Sequence, residues 1–508
     1  MSTDSLAPGG AEPQPTTGSD SLSFPGALGW TALGTLVPGL GLWRAGRRVA
    51  GGVIMGAFVL AIAGLGGLYL FNRRLLEGLA LNPAVLQGLA IGLVVAALLW
   101  VVVIGASYLS LRPPNPSAGQ RVAGSVVVGA LSFLVAAPLA LGANVAWTTA
   151  DLVGTIFGGD STSDSTQPKL NHDDPWKDKS RITFLIIGGD SGNNRPGSEG
   201  DRPDTVMVAT IDTHTGATTL FSLPRNAERM PFPPNSPLHK YYPNGFTSGS
   251  TDLYTRSQYL LNAMYRMVPM KVPHDVLGKT KDFGASVMKV SVGYALGLPI
   301  DYFVKVNMDG FKDFINAIGG ITVNVNYKVP IGGQTDAHIP PKGYLKPGPN
   351  QHLAGGLALW YARGRYGLDD YSRMERQRCV INAVVQQTTP TAVLTNFQSI
   401  AAAGKKTITT DVPGDLLPDL VDLGMKVKNT PLRSVLFDPQ NGFNSVNPNW
   451  VAVRAEVQKA LKATAAGAAA ATSSASASPK ASNSSAKHSS KDTSDDLTAS
   501  CGYHPKKS

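Results

Sequence analysis

Cysteine is almost absent: Cys379 and Cys501 are the only two in 508 residues, which excludes a disulfide-stapled scaffold. Histidine is scarce too. The eight present, His172, His214, His239, His274, His338, His352, His488 and His504, show no ligand spacing, and this excludes a His-built zinc centre. Residues 1–23 carry Asp4, Glu12 and Asp20 but no Lys or Arg, so the basic n-region of a cleavable signal peptide is missing. Apolar residues are not lacking. At 43% hydrophobic the chain is no disordered polyampholyte, and its net charge of +10 is spread over unlike segments.

Between Phe24 and Ala150 nearly everything is Leu, Val, Ala, Gly or Ile, broken by the polar clusters RAGRR (44–48), NRRLLE (72–77) and RPPNPSAGQR (112–121). A bilayer span needs about 20 apolar residues, so spans are expected near 25–43, 49–71, 84–111 and 122–150. The first contains Pro38 and several glycines and could instead be a re-entrant turn. The arginines of the RAGRR loop and of the 112–121 loop are expected on the cytoplasmic side. With four spans, or with three and an inside N-terminus, everything after 150 lies outside the cell, in a multi-pass protein of the cell membrane.

The chain thus divides into a disordered N-terminus (1–23), a transmembrane region of about four helices (24–150), a polar linker (151–180), a globular domain (181–463) and an Ala/Ser/Lys-rich tail (464–508) too poor in large apolar groups to form a core. In the globular part ITFLIIGG, TVMVATID and ATTLFSL read as strands. YTRSQYLLNAMYRMV and ASVMKVSVGYAL have helical spacing, YFVKVN is strand-like, and DGFKDFINAIGG then ITVNVNY reads as helix, Gly stop and strand. This alternation predicts an α/β domain, a mixed central sheet flanked by helices, behind an all-α membrane region. Cys379 has core-facing helical spacing and Cys501 falls in the tail; a bridge is within reach, but nothing in the spacing calls for one.

Two clusters carry chemistry. In IIGGDSGNNRPGSEGDRPDTVMV, Asp190 follows a strand end and Arg202 and Asp204 precede the next strand. The carboxylates either cap turns or converge on a hard cation such as Mg²⁺, which takes one or two carboxylates plus substrate phosphates. In LALWYARGRYGLDDYSRMERQRCVINAV, a strand reading of LALWYARGRY puts Tyr361, Arg363 and Arg365 on one face. Asp370 then caps a helix on which Arg373, Arg376 and Gln377 share a face. These arginines form either a solvated face paired with Glu375 and Asp369 or a multidentate anion site. Guanidinium forks match phosphate oxygens, so a pyrophosphate is a sensible ligand. Arg225 and Lys240 could reach the same pocket. Nucleic acid is excluded as a partner, because these basic residues lie on the outer side of a membrane and form no exposed stripe interleaved with stacking aromatics.

Taken in order, IIGGDSG, DRPDTVMVATID, LFSLPRN, HKYYP, LGLPIDYFVKVNMDGF, IGGITVNV and LALWYARGRYGLDDYSRMERQR resemble the LytR-CpsA-Psr proteins, membrane-anchored ligases of Gram-positive cell walls, over about 182–390. The resemblance implies transfer of a glycopolymer from a polyprenyl-pyrophosphate carrier to a peptidoglycan hydroxyl, forming a phosphodiester. It implies Mg²⁺, or Mn²⁺ in its place, held by Asp190 and Asp204. Phosphates would be held by Arg202, Arg363, Arg365, Arg373 and Gln377, with Arg225, Lys240 and Arg376 lining the site and Asp370 orienting Arg373. It also implies an apolar lipid pocket, expected here from the helices 254–268 and 285–297. Where the family has Pro-Arg-Asp this chain has Pro224, Arg225 and Asn226. That departure motivates a second reading, a lipid-pyrophosphate-binding or wall-tethering protein with an impaired site; a pyrophosphatase using water as acceptor is a third.

Overall fold

A computed structural model describes residues 22–71, 79, 82–157, 164–171, 174–189, 202–335, 337–388, 399, 403, 408–475 and 494–505. The chain divides into two compact units, Met1–Leu76 with Gln87–Trp147, and Glu77–Leu86 with Thr148–Ser508.

The first expected span is not one helix. It breaks into α1 (Phe24–Leu36) and α2 (Leu40–Arg44) around Pro38 and Gly39. Gly39 sits at φ 99°, and a Cβ there would lie 2.5 Å from the Gly51 carbonyl oxygen, so only glycine fits the turn. Thirteen residues of α1 rise only about 20 Å, against a hydrocarbon core of about 30 Å. Among the described residues, three helices are long and apolar enough to cross a membrane: α3 (Arg48–Phe71), α4 (Pro83–Leu111) and α5 (Ala118–Ile156).

The second unit is built on a seven-stranded mixed sheet. Its strands are β1 (Arg181–Gly188), β2 (Thr205–Asp212), β3 (Thr218–Leu223), β4 (Tyr302–Val306), β9 (Ile408–Thr410), β10 (Leu432–Leu436) and β11 (Asp495–Asp496), in the order β11-β10-β3-β2-β1-β4-β9. The pairs β1–β4 and β3–β10 are parallel and the others antiparallel. Two further pairs, β5 (Ile321–Val325) with β8 (Gly348–Leu353) and β6 (Val329–Ile331) with β7 (Gly343–Leu345), form small separate sheets.

Period-2 alternation sends Leu185, Ile187, Val206, Val208 and Phe221 to one sheet face. There they pack under α7 (Leu261–Met267), α8 (Phe283–Leu296) and α13 (Trp450–Ala475). Each such side chain contributes about 1.5–3 kcal/mol on burial. Asp282 caps α8 by accepting from Ala285 N at 3.0 Å, and Gly297, at φ 66°, ends it. The stretch read as one helix over 254–268 is two, α6 (Leu253–Ser257) and α7. The opposite sheet face receives α9 (Met308–Ala317), α10 (Gly355–Arg363), α11 (Asp370–Gln387) and α12 (Leu417–Lys428).

Three expectations are corrected. LALWYAR is helical, not extended, and residues 364–366 follow the helix: Gly355, Ala358 and Tyr361, three apart, are the buried positions of α10, and the Tyr361 hydroxyl donates to the Asn324 carbonyl at 3.0 Å. A short apolar run carries no period long enough to separate strand from helix. The 151–180 linker is pinned along its described part: Ser165 Oγ donates to Leu277 O at 2.6 Å, Lys179 pairs with Asp301 at 2.6 Å, and Lys289 Nζ, buried beside Asp411 at 2.6 Å, also donates to Thr166 O at 3.2 Å. The tail does not begin at 464. Helix α13 runs to Ala475, and residues 494–505 hold β11, the short helix α14 (Leu497–Ser500) and Cys501, which is disulfide-bonded to Cys379.

Candidate active site

The antiparallel register sets Gly188 opposite Thr205, and the Asp204 amide donates to Gly188 O at 3.0 Å. This fixes Asp204 where the carboxyl end of β1 meets the start of β2. Helix α11 begins with Asp369 accepting from Ser372 N at 2.6 Å. Asp369, not Asp370, is therefore the cap, and Asp370 is released to the first turn, one turn before Arg373.

Four side chains then close a ring of alternating charge. Arg225 Nη1 donates to Asp204 Oδ1 and its Nε lies 3.5 Å from Asp370 Oδ1. Arg373 Nη2 bridges Asp370 Oδ2 at 3.1 Å and the Asp204 carbonyl at 2.9 Å, with Nη1 3.8 Å from Asp204 Oδ2. Arg373 is only 2% exposed. Burial alone would raise the Asp204 pKa, but Arg225, Arg373 and Arg365 outweigh it and hold the carboxyl below its ordinary value. Burial lowers the Arg373 pKa against the opposing pull of Asp370 and Asp204.

A depressed carboxylate pKa contributes stability that is present above the unfolded pKa and lost as pH falls through the folded one. The melting temperature of the wild type should therefore exceed that of Asp204→Asn by a constant margin above about pH 5, and the margin should begin to shrink below the reference carboxylate value of about 3.9 and go on shrinking as pH falls towards the lower folded value. Calorimetric melts from pH 8 to pH 3 check this; a margin as large at pH 3 as at pH 7 contradicts it.

The ring opens into a cavity of about 360 Å³. Asp204, Arg363, Arg373 and Gln377 lie on its lining together with Phe311 and Phe314 of α9, Leu359 and Ala362 of α10, and Val380, Ile381, Val384 and Val385 of α11. The site is thus an apolar slot with a cationic mouth. Arg363 stacks on Trp360, its guanidinium carbon 5.3 Å from the ring centroid, and contacts Met308 Sδ at 2.8 Å. Arg365 is exposed just past α10, close enough to act electrostatically on both Asp204 and Arg373. Arg202 donates to Ser257 O at 2.8 Å and Asn262 Oδ1 at 3.2 Å; burial, then Arg225, lowers its pKa.

Other predicted site residues go elsewhere. Arg376 does not join Arg373 and Gln377: it is buried and donates to Tyr361 O at 2.6 Å, to the Tyr327 hydroxyl at 2.6 Å and to Gly364 O, latching α10 to α11. A helix turns about 100° per residue, which carries a residue three along to the flank of the face that one four along shares. With α10 helical, Tyr361 and Arg363 fall on opposite sides of it, and Arg365 lies beyond its end. Lys240 ends a short 3₁₀ turn (Pro237–Lys240), exposed and off the cavity lining. Asp190 lies outside the described residues. Nor do the helices of 254–268 and 285–297 line the cavity; α8 is buried on nearly every side and fills the core on the opposite sheet face. The lining that sequence reasoning missed had a signal, Phe311 and Phe314 at i, i+3 and Val380 and Val384 at i, i+4.

Asn226 is exposed, and its loop is anchored without a carboxylate at that position. Leu261 N donates to Ala227 O at 2.8 Å, Asn262 N to Arg225 O at 3.0 Å, and Arg256 grips both oxygens of Glu228, at 2.5 and 3.3 Å.

Among the described residues no group of three or more His, Cys, Asp or Glu side chains assembles. The carboxylates at the ring are Asp204 and Asp370, and Asp370 Oδ1 is buried without a hydrogen bond. Two carboxylates, one with an oxygen that accepts no hydrogen bond and has only the Arg225 charge at 3.5 Å beside it, suit a hard cation that completes its shell with phosphate oxygens.

Residues 153–465 match the model of the LytR_cpsA_psr family. The chain is 28% identical over 302 residues to a polyisoprenyl-teichoic acid–peptidoglycan teichoic acid transferase TagU of Enterococcus faecalis, spanning 59% of this chain and 82% of that protein. To a TagU of Bacillus cereus it is 27% identical, over 47% of this chain and 63% of the relative. The crystal structure of B. subtilis TagV aligns over 55% of this chain and 97% of its own, at 24% identity and a TM-score of 0.37. With the family model covering more than half of its length, the chain belongs to the LytR_cpsA_psr family.

Proposed function

We propose that this protein is a membrane-anchored phosphotransferase that moves a glycopolymer from a polyprenyl-pyrophosphate carrier to a hydroxyl of peptidoglycan. The observation that carries the reading is the juxtaposition of an apolar cavity with the Asp204–Arg225–Asp370–Arg373 ring at its mouth. An isoprenoid pyrophosphate has that same polarity, a long apolar chain ending in concentrated negative charge. The TagU relatives are named as transferases of teichoic acid to peptidoglycan, which supports glycopolymer transfer in the cell wall. The apolar helices α3, α4 and α5 supply the anchor. With three spans and the arginine-rich loops inside, the second unit faces the wall.

In this reading the isoprenoid chain lies along Phe311, Phe314, Val380 and Val384, and the pyrophosphate meets Arg363, Arg365 and Arg373. The acceptor oxygen attacks the phosphorus that carries the glycopolymer. The bond from that phosphorus to the bridging oxygen breaks, polyprenyl phosphate leaves, and the acceptor's proton passes to a base at the mouth. Phosphoryl transfer depends mainly on positioning and charge neutralisation, and guanidinium groups in a water-poor slot supply both. Mg²⁺, held by Asp204 with Asp190 or Asp370, would neutralise further phosphate charge when bound.

The test is incubation of the full-length protein in detergent with a polyprenyl-pyrophosphate-linked oligosaccharide, Mg²⁺ and peptidoglycan, followed by mass spectrometry of digested wall fragments. A fragment carrying the oligosaccharide through a phosphodiester is expected, and Arg365→Ala should lower its yield by about 10- to 100-fold. Binding without product supports the tethering reading instead, and phosphorylated oligosaccharide released without attachment supports a pyrophosphatase.

A further inference from the structure

Helix α11 is held from two sides. At its start, Arg373 is tied into the charged ring and to the Asp204 carbonyl. Further along, the C-terminal segment 494–505 lies behind it. Cys501 is bonded to Cys379 across 122 residues of sequence. Leu497 is fully buried in a cluster with Ala209, Leu220, Val427 and Leu432, against which Ile186, Ile381 and Val385 also pack. Those last three residues line the apolar cavity as well.

The segment is seated by specific polar contacts. Asp495 and Asp496 extend the sheet beside Ser434 and Arg433. Asn324 Nδ2 donates to Cys501 O at 2.9 Å, Asn326 Nδ2 to Gly502 O at 3.2 Å, and His504 N to Asn326 Oδ1 at 2.8 Å. Arg378, next to Cys379, is buried and donates to Ser434 Oγ at 2.6 Å, with Asp495 at 4.0 Å. These contacts reach α11 directly at Arg378 and Cys379, and Ile381 and Val385 share the Leu497 cluster. None falls in the turn that carries Arg373.

We propose that residues 494–505 are a disulfide-locked brace that positions the cavity-lining half of α11, and so governs how well the cavity holds an apolar chain while leaving the charged mouth in place. The proposal deepens the isoprenoid-pyrophosphate reading and rests on it for the nature of the chain. Leu497 and the two cysteines are positioning residues, since Leu497 acts through Ile381 and Val385 and the disulfide through Cys379. Fixing both ends of the 379–501 loop removes the freedom of the segment to leave α11. Opening the lock is a two-electron step: a dithiol attacks one sulfur, the S–S bond breaks, Cys379 and Cys501 become thiols, and the dithiol closes to its own disulfide.

The test compares full-length protein in detergent as oxidised wild type, wild type reduced with dithiothreitol, the Cys379→Ala/Cys501→Ala double variant, and Leu497→Ala, which keeps the disulfide. Amide hydrogen exchange should speed up over 378–387 in the three altered forms and stay unchanged over 370–376. Titration calorimetry should show affinity for geranylgeranyl pyrophosphate falling about tenfold and that for inorganic pyrophosphate staying within about twofold. Dithiothreitol should do nothing to the double variant. Unchanged exchange over 378–387 overturns the brace, and so does an equal loss of both ligands, which would mean that the segment only holds the domain together. If oxidised wild type binds no geranylgeranyl pyrophosphate, the lipid reading fails, and hydrogen exchange alone then decides the brace.

Discussion

Replacing Arg373 with alanine should abolish glycopolymer transfer, with turnover down by about a thousandfold, and should lower stability by about 1–3 kcal/mol. Both effects come from one geometry. Arg373 is 2% exposed and is shared between Asp204 and Asp370. Without it two carboxylates face each other with Arg225 as the remaining partner in the ring, and a buried charge left without its partner costs more than the pair contributes. Arg373→Lys separates the two effects. An ammonium restores one positive charge, so much of the stability should return. It lacks the planar fork that spans the Asp204 carbonyl and Asp370 from one nitrogen while a second faces the Asp204 carboxylate, so turnover should stay low. Calorimetric melting and the wall-attachment assay, run on both variants, measure the split. Wild-type turnover in Arg373→Ala would remove Arg373 from the mechanism.

How far the sequence reaches is visible in this same ring. Asp204, Arg225, Asp370 and Arg373 are all legible as candidates, because charged residues at strand ends and in the opening turns of a helix with an apolar face need a reason to be there. What local spacing does not encode is partner choice. Arg373 and Arg376 are the same residue type on one helix, yet one faces the cavity and the other is consumed by backbone carbonyls of α10. Only the helical state of 355–363, set by tertiary packing of Ala358 and Tyr361, decides between them. The mixed sheet follows from the alternation of strand-like and helix-like segments along the chain. The resemblance puts the lipid cavity on the helices 254–268 and 285–297, but α8 is buried on nearly every side and fills the core. The half-apolar α9 and α11 leave a slot between them and the sheet. The disulfide was illegible for a different reason: a pairing across 122 residues is fixed by where β11 docks, and no spacing rule reports that.

The second large effect lies in that slot. Ala362→Trp should weaken geranylgeranyl pyrophosphate binding by about 100-fold and depress transfer in parallel, because an indole at this position occupies much of a cavity of about 360 Å³. Ala362 borders this cavity, so an indole growing into it removes no native side-chain contact, and the melting temperature should hold or rise. That combination is diagnostic. A residue needed for folding loses stability and activity together, whereas a residue that merely borders a ligand site loses activity alone. Inorganic pyrophosphate supplies the internal control. It has the charge and no chain, and its affinity should stay near wild type in Ala362→Trp while falling in Arg363→Ala. If both ligands are lost to Ala362→Trp, the apolar cavity and the charged mouth are one indivisible site. If neither is affected, the slot does not hold the chain, and the isoprenoid must bind on a surface that the arginines reach from outside.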